Sequence, residues 1–268
     1  MECRFVKYHG TGNDFILVDN RTGVYNDLRD AHVAGLCRRR FGVGADGLML
    51  LQDDPEVDFC MRYFNADGGE ASFCGNGARC ISAFAHELGL FEESCFFRAA
   101  DGLHEARRME NNLISIRMKD VAAIEEHPEG LFLDTGSPHL IIWTTDPQAI
   151  HAHEEGPRLR HHKNFKAYGG VNVNWVCPQP NREGRIGMRT FERGVEAETW
   201  SCGTGTVAAA LAYHAYHGRS NSEKVLLELE TPGGQLRVQA LRGLDKRYTQ
   251  IELIGPAERV FEGKSLLD

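Results

Sequence analysis

The chain has 268 residues, enough for two domains, and its 42% hydrophobic and 25% charged residues are the balance of an ordinary globular protein. A formal net charge of −8 argues against a nucleic-acid footprint, and the longest apolar runs are far too short to span a bilayer. With an N-terminus, Met1-Glu2-Cys3-Arg4-Phe5, that lacks an apolar signal core, these features predict a cytoplasmic protein that works away from membranes and nucleic acid. The net charge leaves room for an anionic substrate, since one local arginine suffices to bind a carboxylate.

Eight cysteines are present: Cys3, Cys37, Cys60, Cys74, Cys80, Cys95, Cys177 and Cys202. In a reducing cytosol they are expected as thiols. No CxxC pair occurs, so the usual spacing of a zinc ribbon or a thioredoxin-like site is missing. Packing is the default role for such thiols.

In chain order, the first distinctive unit is Met61-Arg62-Tyr63-Phe64, then an acidic loop, then Glu70-Ala71-Ser72-Phe73-Cys74-Gly75-Asn76-Gly77. Ala78 to Leu88 reads as a helix stopped by Gly89, a residue that tolerates the left-handed conformation. Strands follow at Cys95–Arg98 and Leu113–Ile116, on either side of an Asp101-Gly102 turn. A domain boundary is expected near Lys119 to Ala123. Trp143 to Lys166 is polar and His-rich and reads as a surface excursion.

The unit then recurs as Met188-Arg189-Thr190-Phe191, a similar loop, and Glu196-Ala197-Glu198-Thr199-Trp200-Ser201-Cys202-Gly203-Thr204-Gly205. Thr206 to His217 reads as a helix stopped by Gly218; its core, Val207 to Ala212, is apolar almost all round, the mark of burial on every side. Strands Val225–Leu229 and Ile251–Leu253 and a Gly233-Gly234 turn complete the second copy. The expected fold is α+β: two pseudo-symmetric domains, each a strand-wrapped, barrel-like sheet around a central helix. The expected halves are 1–119 and 120–256, with 257–268 returning to the first. A pseudo-twofold relation would bring the two helix starts together.

A cysteine at each helix start is chemistry in waiting. Unpaired N–H groups and the positive end of the helix dipole favour a thiolate there. Gly75 and Gly77, and Gly203 and Gly205, are expected to leave the backbone amides bare to grip an anion such as a carboxylate. A carboxylate held there would place its alpha carbon between two sulfurs, one removing a proton and the other returning one to the opposite face, with inversion at carbon. Cys80 lies inside the first helix and reads as packing. Cys3, Cys37, Cys60, Cys95 and Cys177 lack symmetric partners and read as core thiols.

The motifs as a set resemble the diaminopimelate epimerase family. They are His9-Gly10-Thr11-Gly12-Asn13-Asp14-Phe15, Gly42 to Gly47, Phe64-Asn65-Ala66-Asp67-Gly68 with Cys74 to Cys80, Phe191-Glu192-Arg193-Gly194, and Cys202-Gly203-Thr204-Gly205. The resemblance implies epimerisation of LL- to meso-diaminopimelate for lysine and peptidoglycan precursors, with no cofactor and no metal, and Cys74 and Cys202 as the two bases. It implies that Gly75, Asn76, Gly203 and Thr204 hold the reacting end of the substrate. Asn13, Asn65, Asn172 and Arg193 would hold the distal end, with Asn174 competing for the place of Asn172. His139, in Gly136-Ser137-Pro138-His139, and Glu192 would tune the thiols. Ser137 stands where the family usually has Asn, and Gly47 where some members carry Gln. A second copy of the chain is the one macromolecular partner left open.

Two rivals differ in class or substrate. A proline-racemase-type enzyme shares the two-thiol logic, but typically has His where Asn76 stands, and its substrate lacks the second carboxylate that suits Arg193. A metal-binding protein would use cysteines with His151, His153, His161 and His162, which lack ligand-type spacing to any cysteine pair. No lysine sits in a convincing Schiff-base context for a pyridoxal enzyme.

Overall fold

The computed structural model describes residues 2–71, 73–217 and 223–266. The chain divides into two compact units, Met1–Ile116 with Gly255–Asp268, and Arg117–Ile254.

The first unit runs β1 (Glu2–Gly10), β2 (Asn13–Asp19), α1 (Asp30–Cys37), β3 (Gly47–Gln52), β4 (Phe59–Asn65), β5 (Glu70–Ala71), α2 (Gly75–Glu87), β6 (Ser94–Ala99), β7 (Gly102–Arg108) and β8 (Leu113–Arg117). The second runs β9 (Glu125–His127), β10 (Gly130–Asp134), β11 (Pro138–Trp143), α3 (Ala152–Arg160), β12 (Asn172–Val176), β13 (Ile186–Glu192), β14 (Ala197–Thr199), α4 (Gly203–Tyr216), β15 (Lys224–Thr231), β16 (Gly234–Arg242) and β17 (Tyr248–Pro256). The last strand, β18 (Glu258–Leu266), pairs antiparallel with β1 and so belongs to the first unit.

Pairing follows one scheme in both units. In the first, β1 and β2 are antiparallel, β2 and β3 parallel, β3 and β4 antiparallel, β4 and β6 parallel, and β6 and β7 antiparallel. In the second, β10–β11, β11–β12, β12–β13, β13–β15 and β15–β16 repeat that order of senses. The registers align the copies residue by residue. Phe15 lies opposite Gly47 and His139 opposite Asn172, while Leu48 lies opposite Phe64 and Val173 opposite Phe191. Gly47 thus corresponds to Asn172, Asn65 to Glu192, and Cys74 to Cys202.

Each sheet wraps a helix. β1 alternates, with Cys3 and Phe5 buried and Glu2 and Arg4 exposed, as expected for one wet face. β2 and β3 instead carry continuous buried runs, Phe15–Val18 and Gly47–Leu51. Such runs need cover on both faces. α2 packs on β1, β2, β3 and β7, and α1 packs on β3 from outside, against a cluster that includes Phe5, Ile16, Val18, Val33 and Leu36. In the second unit α4, buried without interruption from Gly205 to Ala212, packs on β10, β11, β12, β13, β15 and β16. α3 covers the outer face at β12, β13 and β14, closing over Phe132, Leu140, Trp175 and Phe191.

The fold class is α+β in two repeated units, as the sequence predicts. Three details differ from expectation. Both central helices begin earlier, at Gly75 and Gly203, because their Gly-rich starts are already helical and Cys74 and Cys202 are themselves the N-cap residues. The polar segment Trp143–Lys166 lies at the surface but is more than an excursion: it is the crossover that a parallel β11–β12 pair requires, the counterpart of the one carrying α1, and it buries Ala152, Leu159 and Phe165. Its single apolar face is too narrow to outweigh the charged residues around it in a composition reading. Cys60 and Cys177, expected in the core, are only half-buried. Gly89 ends α2 with φ +75°, while Gly218, the expected stop of the second helix, and Ser72 lie outside the described residues. Among the described residues, no helix is long and apolar enough to cross a membrane.

Candidate active site

The two cysteines share a backbone setting. Cys74 has φ −143° and ψ 118°, Cys202 φ −117° and ψ 112°, both extended. Their carbonyls accept the first helical bonds, from Ala78 N at 2.7 Å and Thr206 N at 2.9 Å. Neither side chain caps its own helix, so each thiol is left beside the dipole's positive end for other work. Gly77 and Gly205 were expected to keep the amides bare, but packing gives a further reason for them. A Cβ on Gly77 would collide with Met49 Cε, and one on Gly205 would come within 2.5 Å of Asn174 Oδ1.

In the first unit, the Cys74 thiol lies 3.6 Å from Asn13 Oδ1 and donates to it. The orientation of that amide follows from its other end, where Asn13 Nδ2 donates to Asp46 Oδ2 at 2.8 Å; a carboxylate can only accept. Asn76 Nδ2 also donates to Asn13 Oδ1, at 3.3 Å, while Asn76 Oδ1 accepts from Arg79 Nη2 at 3.0 Å. Arg79 is completely buried and donates also to Thr11 Oγ1 and to Pro256 O, tying the returning C-terminal segment to the base of α2. Burial pushes its pKa down to about 10, which leaves it a cation at neutral pH. Asp14 is pulled two ways: burial disfavours its charge, but hydrogen bonds and charge from Arg39 and Lys7 hold its pKa down to about 2. Arg39 also bonds Asp46, so the support of Asn13 runs back into this ionic cluster.

Asn65 ends β4, is exposed, and accepts from the Tyr63 hydroxyl at 2.9 Å. Gly47 faces it across the β3–β4 pair, and a Cβ there would meet Phe64 O at 2.6 Å and the Tyr63 ring at 2.7 Å. The Tyr63 ring therefore fills the space that a side chain at position 47 would occupy.

In the second unit, Cys202 is 5% exposed and its sulfur lies 3.5 Å from Thr204 Oγ1. Thr204 Oγ1 lies 3.0 Å from His139 Nε2. His139, completely buried, has its other nitrogen 3.1 Å from Asn174 Nδ2. Burial, reinforced by the nearby Arg193 charge, pushes the His139 pKa down to about 3, so the ring is neutral at working pH. The Asn174 amide is oriented by its neighbours, for Nδ2 also reaches Leu140 O at 3.1 Å and Oδ1 accepts from Thr190 Oγ1 at 2.9 Å.

Asn172 is nearly saturated. Its Nδ2 donates to Ser137 Oγ at 2.8 Å and Pro138 O at 3.0 Å, and its Oδ1 accepts from Arg193 N at 2.8 Å. One acceptor lone pair remains for a ligand. The Ser137 hydroxyl oxygen is thus committed to accepting from Asn172. The Arg193 guanidinium donates to Tyr168 O at 3.0 Å, and Glu192 ends β13 half-buried.

Asn13, Cys74 and Asn76 are therefore brought together in the first unit, and His139, Cys202 and Thr204 in the second, with Asn172 and Arg193 joined to each other. The sequence reading missed Asp46, Tyr63 and Arg79. It weighed Asn174 only as a ligand, although that side chain is completely buried. Asp46 and Arg79 lie inside the quoted motifs, which was the available signal. Among the described residues no group of His, Cys, Asp and Glu could hold a metal; His161 pairs with Glu196 and His162 with Glu129.

A family model for diaminopimelate epimerase matches residues 5–122 and 131–260. The chain is 42% identical over 259 residues to the diaminopimelate epimerase of Flavobacterium psychrophilum, covering 97% of this chain and 98% of that protein. It is 38% identical over 264 residues to that of Chlorobaculum tepidum, covering 95% and 98%. Among solved structures it is similar to a Bacillus anthracis phenazine biosynthesis protein of the PhzF family, with TM-score 0.77, 17% identity and 99% of both chains covered. It is also similar to a hydroxyproline epimerase from Agrobacterium vitis with bound trans-4-OH-L-proline, with TM-score 0.66, 15% identity, and 100% and 93% covered. Those two likenesses speak to the fold alone.

Proposed function

The chain belongs to the diaminopimelate epimerase family, and from that premise we propose that it interconverts LL- and meso-diaminopimelate by passing the alpha proton between Cys74 and Cys202. The observation that carries this reading is the pair of thiols at matching N-cap positions of α2 and α4, each at the positive end of a helix dipole. One sulfur, as thiolate, removes the alpha proton; the other, as thiol, delivers its own proton to the opposite face of the carbanionic carbon. The first becomes a thiol and the second a thiolate, so the reverse reaction needs no further reagent. No step calls on a cofactor. Positioned proton transfer is worth about 10² to 10⁴ in rate, and backbone amides around the carboxylate stabilise the charge that develops on it.

Gly75, Asn76, Gly203 and Thr204 are assigned to the reacting end of the substrate. Asn65, Asn172 and Arg193 are assigned to the distal end, where a guanidinium suits a carboxylate. His139 and Glu192 are assigned to tuning the thiols. Asn13 was expected at the distal end; its contact with Cys74 argues for the reacting end. The two units read as the two halves of the enzyme, and a cytoplasmic location fits a chain whose eight cysteines are thiols.

The test is incubation with LL-diaminopimelate in heavy water. Deuterium should enter at one alpha carbon with inversion there. Activity on proline but none on diaminopimelate would overturn the assignment.

A further inference from the structure

Arg193 is held from two sides, and one buried arginine reaches both. On the backbone side, the turn between β13 and β14 is closed by Glu196 N donating to Glu192 O at 2.9 Å. Glu196 Oε1 also accepts from Gly194 N at 3.1 Å, which makes this side chain a strut inside its own turn. Glu196 has a left-handed φ of +57°, which a non-glycine residue keeps where its surroundings enforce it. On the side-chain side, Arg193 Nη1 donates to Tyr168 O at 3.0 Å. That bond takes Nη1, while Nε and Nη2 form the paired edge on which a guanidinium grips a carboxylate.

Arg160, the last residue of α3, spans the two sides. Its Nη1 donates to Gly169 O at 2.7 Å, one residue beyond the carbonyl that receives Arg193. Its Nε and Nη2 reach Glu196 Oε1 at 3.1 and 3.0 Å, the same oxygen that Gly194 N bonds. The Arg160 carbonyl accepts from Val171 N at 3.2 Å, beside the Asn172 that takes the Arg193 amide. The chain makes room for this side chain: a Cβ on Gly170, at φ +86°, would run into Arg160 Nη1 and the Arg160 carbonyl. Arg160 is 7% exposed, whereas Glu196 is exposed and offers its other oxygen to His161 at 3.2 Å. The Gly194 amide first, then the Arg160 charge, hold the Glu196 carboxyl below the usual range against some desolvation, so it is a carboxylate at neutral pH. A half-exposed ion pair is a weak source of stability, and burying the arginine subtracts from it. What the pair supplies is position.

We propose that Arg160 is a positioning residue which, through Glu196 and Gly169, fixes Arg193 in the pose that receives the distal carboxylate of the substrate. The inference rests on the distal-end assignment above and deepens it. It gives the α3 crossover, so polar in sequence, a part in substrate selection: a ligand without the distal carboxylate gains nothing from Arg160.

The experiment measures alpha-proton exchange from LL-diaminopimelate in heavy water with the full chain, as kcat/KM. It compares Arg160→Gln, Glu196→Ala and Arg193→Ala with the double variants that join each of the first two to Arg193→Ala. Arg160→Gln and Glu196→Ala should each lower kcat/KM by about ten- to a hundredfold. In the Arg193→Ala background each should lower it by less than about threefold, because the group through which they act is gone. Additive losses, the mark of a merely structural staple, overturn the proposal, and so does an Arg160→Gln protein with parent-like kcat/KM. Glu196 lies at the surface, so Glu196→Ala decides the matter should Arg160→Gln fail to fold. Crystal structures of the two single variants without substrate read position directly. The Arg193 guanidinium should be displaced from Tyr168 O, and an unmoved guanidinium overturns the inference. The two readings fail separately. A parent protein that exchanges no proton of diaminopimelate sinks the proposed function, while the variant structures still decide whether Arg160 holds Arg193.

Discussion

Cys74 and Cys202 occupy the same slot of one repeated scheme, at the N-cap of the helix that each sheet wraps, yet their surroundings differ in kind. In the first unit the support is ionic: Lys7, Asp14, Arg39 and Asp46 form a partly exposed cluster behind Asn13. In the second the support is neutral and dry, running from Thr190 through Asn174 and His139 to Thr204. The repeat-equivalent pairs make the contrast concrete. Asn65 corresponds to Glu192 and Asn76 to Thr204, and the Phe15 position, apolar in one copy, is His139 in the other. Duplication of a fold therefore copies backbone positions, while the polarity of each site is free to diverge through single side chains.

The largest effects test whether both slots are needed. Cys74→Ala and Cys202→Ala should each lower turnover by about 10² to 10⁴ or more while the circular dichroism spectrum stays native. Near-native epimerisation in either variant would break the symmetry of roles, and with it the two-base mechanism.

A smaller effect separates the two supports by pH. His139 has its pKa pushed from 6.5 to about 3 by burial, so the unfolded chain binds a proton below pH 6.5 that the folded chain refuses. Its contribution to stability is fully present above that pH and is lost on acidification, at roughly 1.4 kcal/mol per pH unit, until the pH reaches about 3. Asp14 has a shift of the same sign in a lower window, its pKa lowered from 3.8 to about 2, so its contribution is kept until the pH falls below 3.8 and is lost through about 2. Hydrogen exchange between pH 6.5 and 4 should show the second unit opening before the first. His139→Gln should remove most of that difference, and equal loss of protection in both units would count against the assignment.

The smallest effects come from the helix-start glycines. Gly77→Ala pushes on the buried Met49 side chain and should cost about 1–3 kcal/mol in denaturant unfolding, with modest loss of turnover. Gly205→Ala pushes on Asn174 Oδ1 instead. It should cost a similar stability but more activity, because it displaces the amide that orients His139. Equal activity losses in the two variants would remove Asn174 from the chain of support.

Much of this was legible in the chain itself. The repeated Met-Arg-x-Phe to Cys-Gly-x-Gly spacing, the apolar run of the second helix and the Gly89 stop are local patterns, and local patterns are set by backbone propensity and side-chain periodicity. They led to the α+β class, to the two wrapped helices and to the pairing of Cys74 with Cys202 as equivalent residues. The α3 crossover was missed for the complementary reason. It is held by contacts with Phe132, Trp175 and Phe191, which lie far from it in sequence, more than by its own pattern.

What the sequence determined alone is therefore the inventory: two cysteines in a duplicated motif, an arginine beside the second copy, and a histidine in a Gly-Ser-Pro-His turn. Only the tertiary structure decided which atom of each side chain faces which. The Asn13 and Asn174 amides have two chemically opposite ends, and a string of residues carries no information on which end points at a sulfur or an imidazole. That choice is made by Asp46, Leu140 and Thr190, brought in by strand register, because a buried donor or acceptor left unmatched costs about as much as a hydrogen bond is worth.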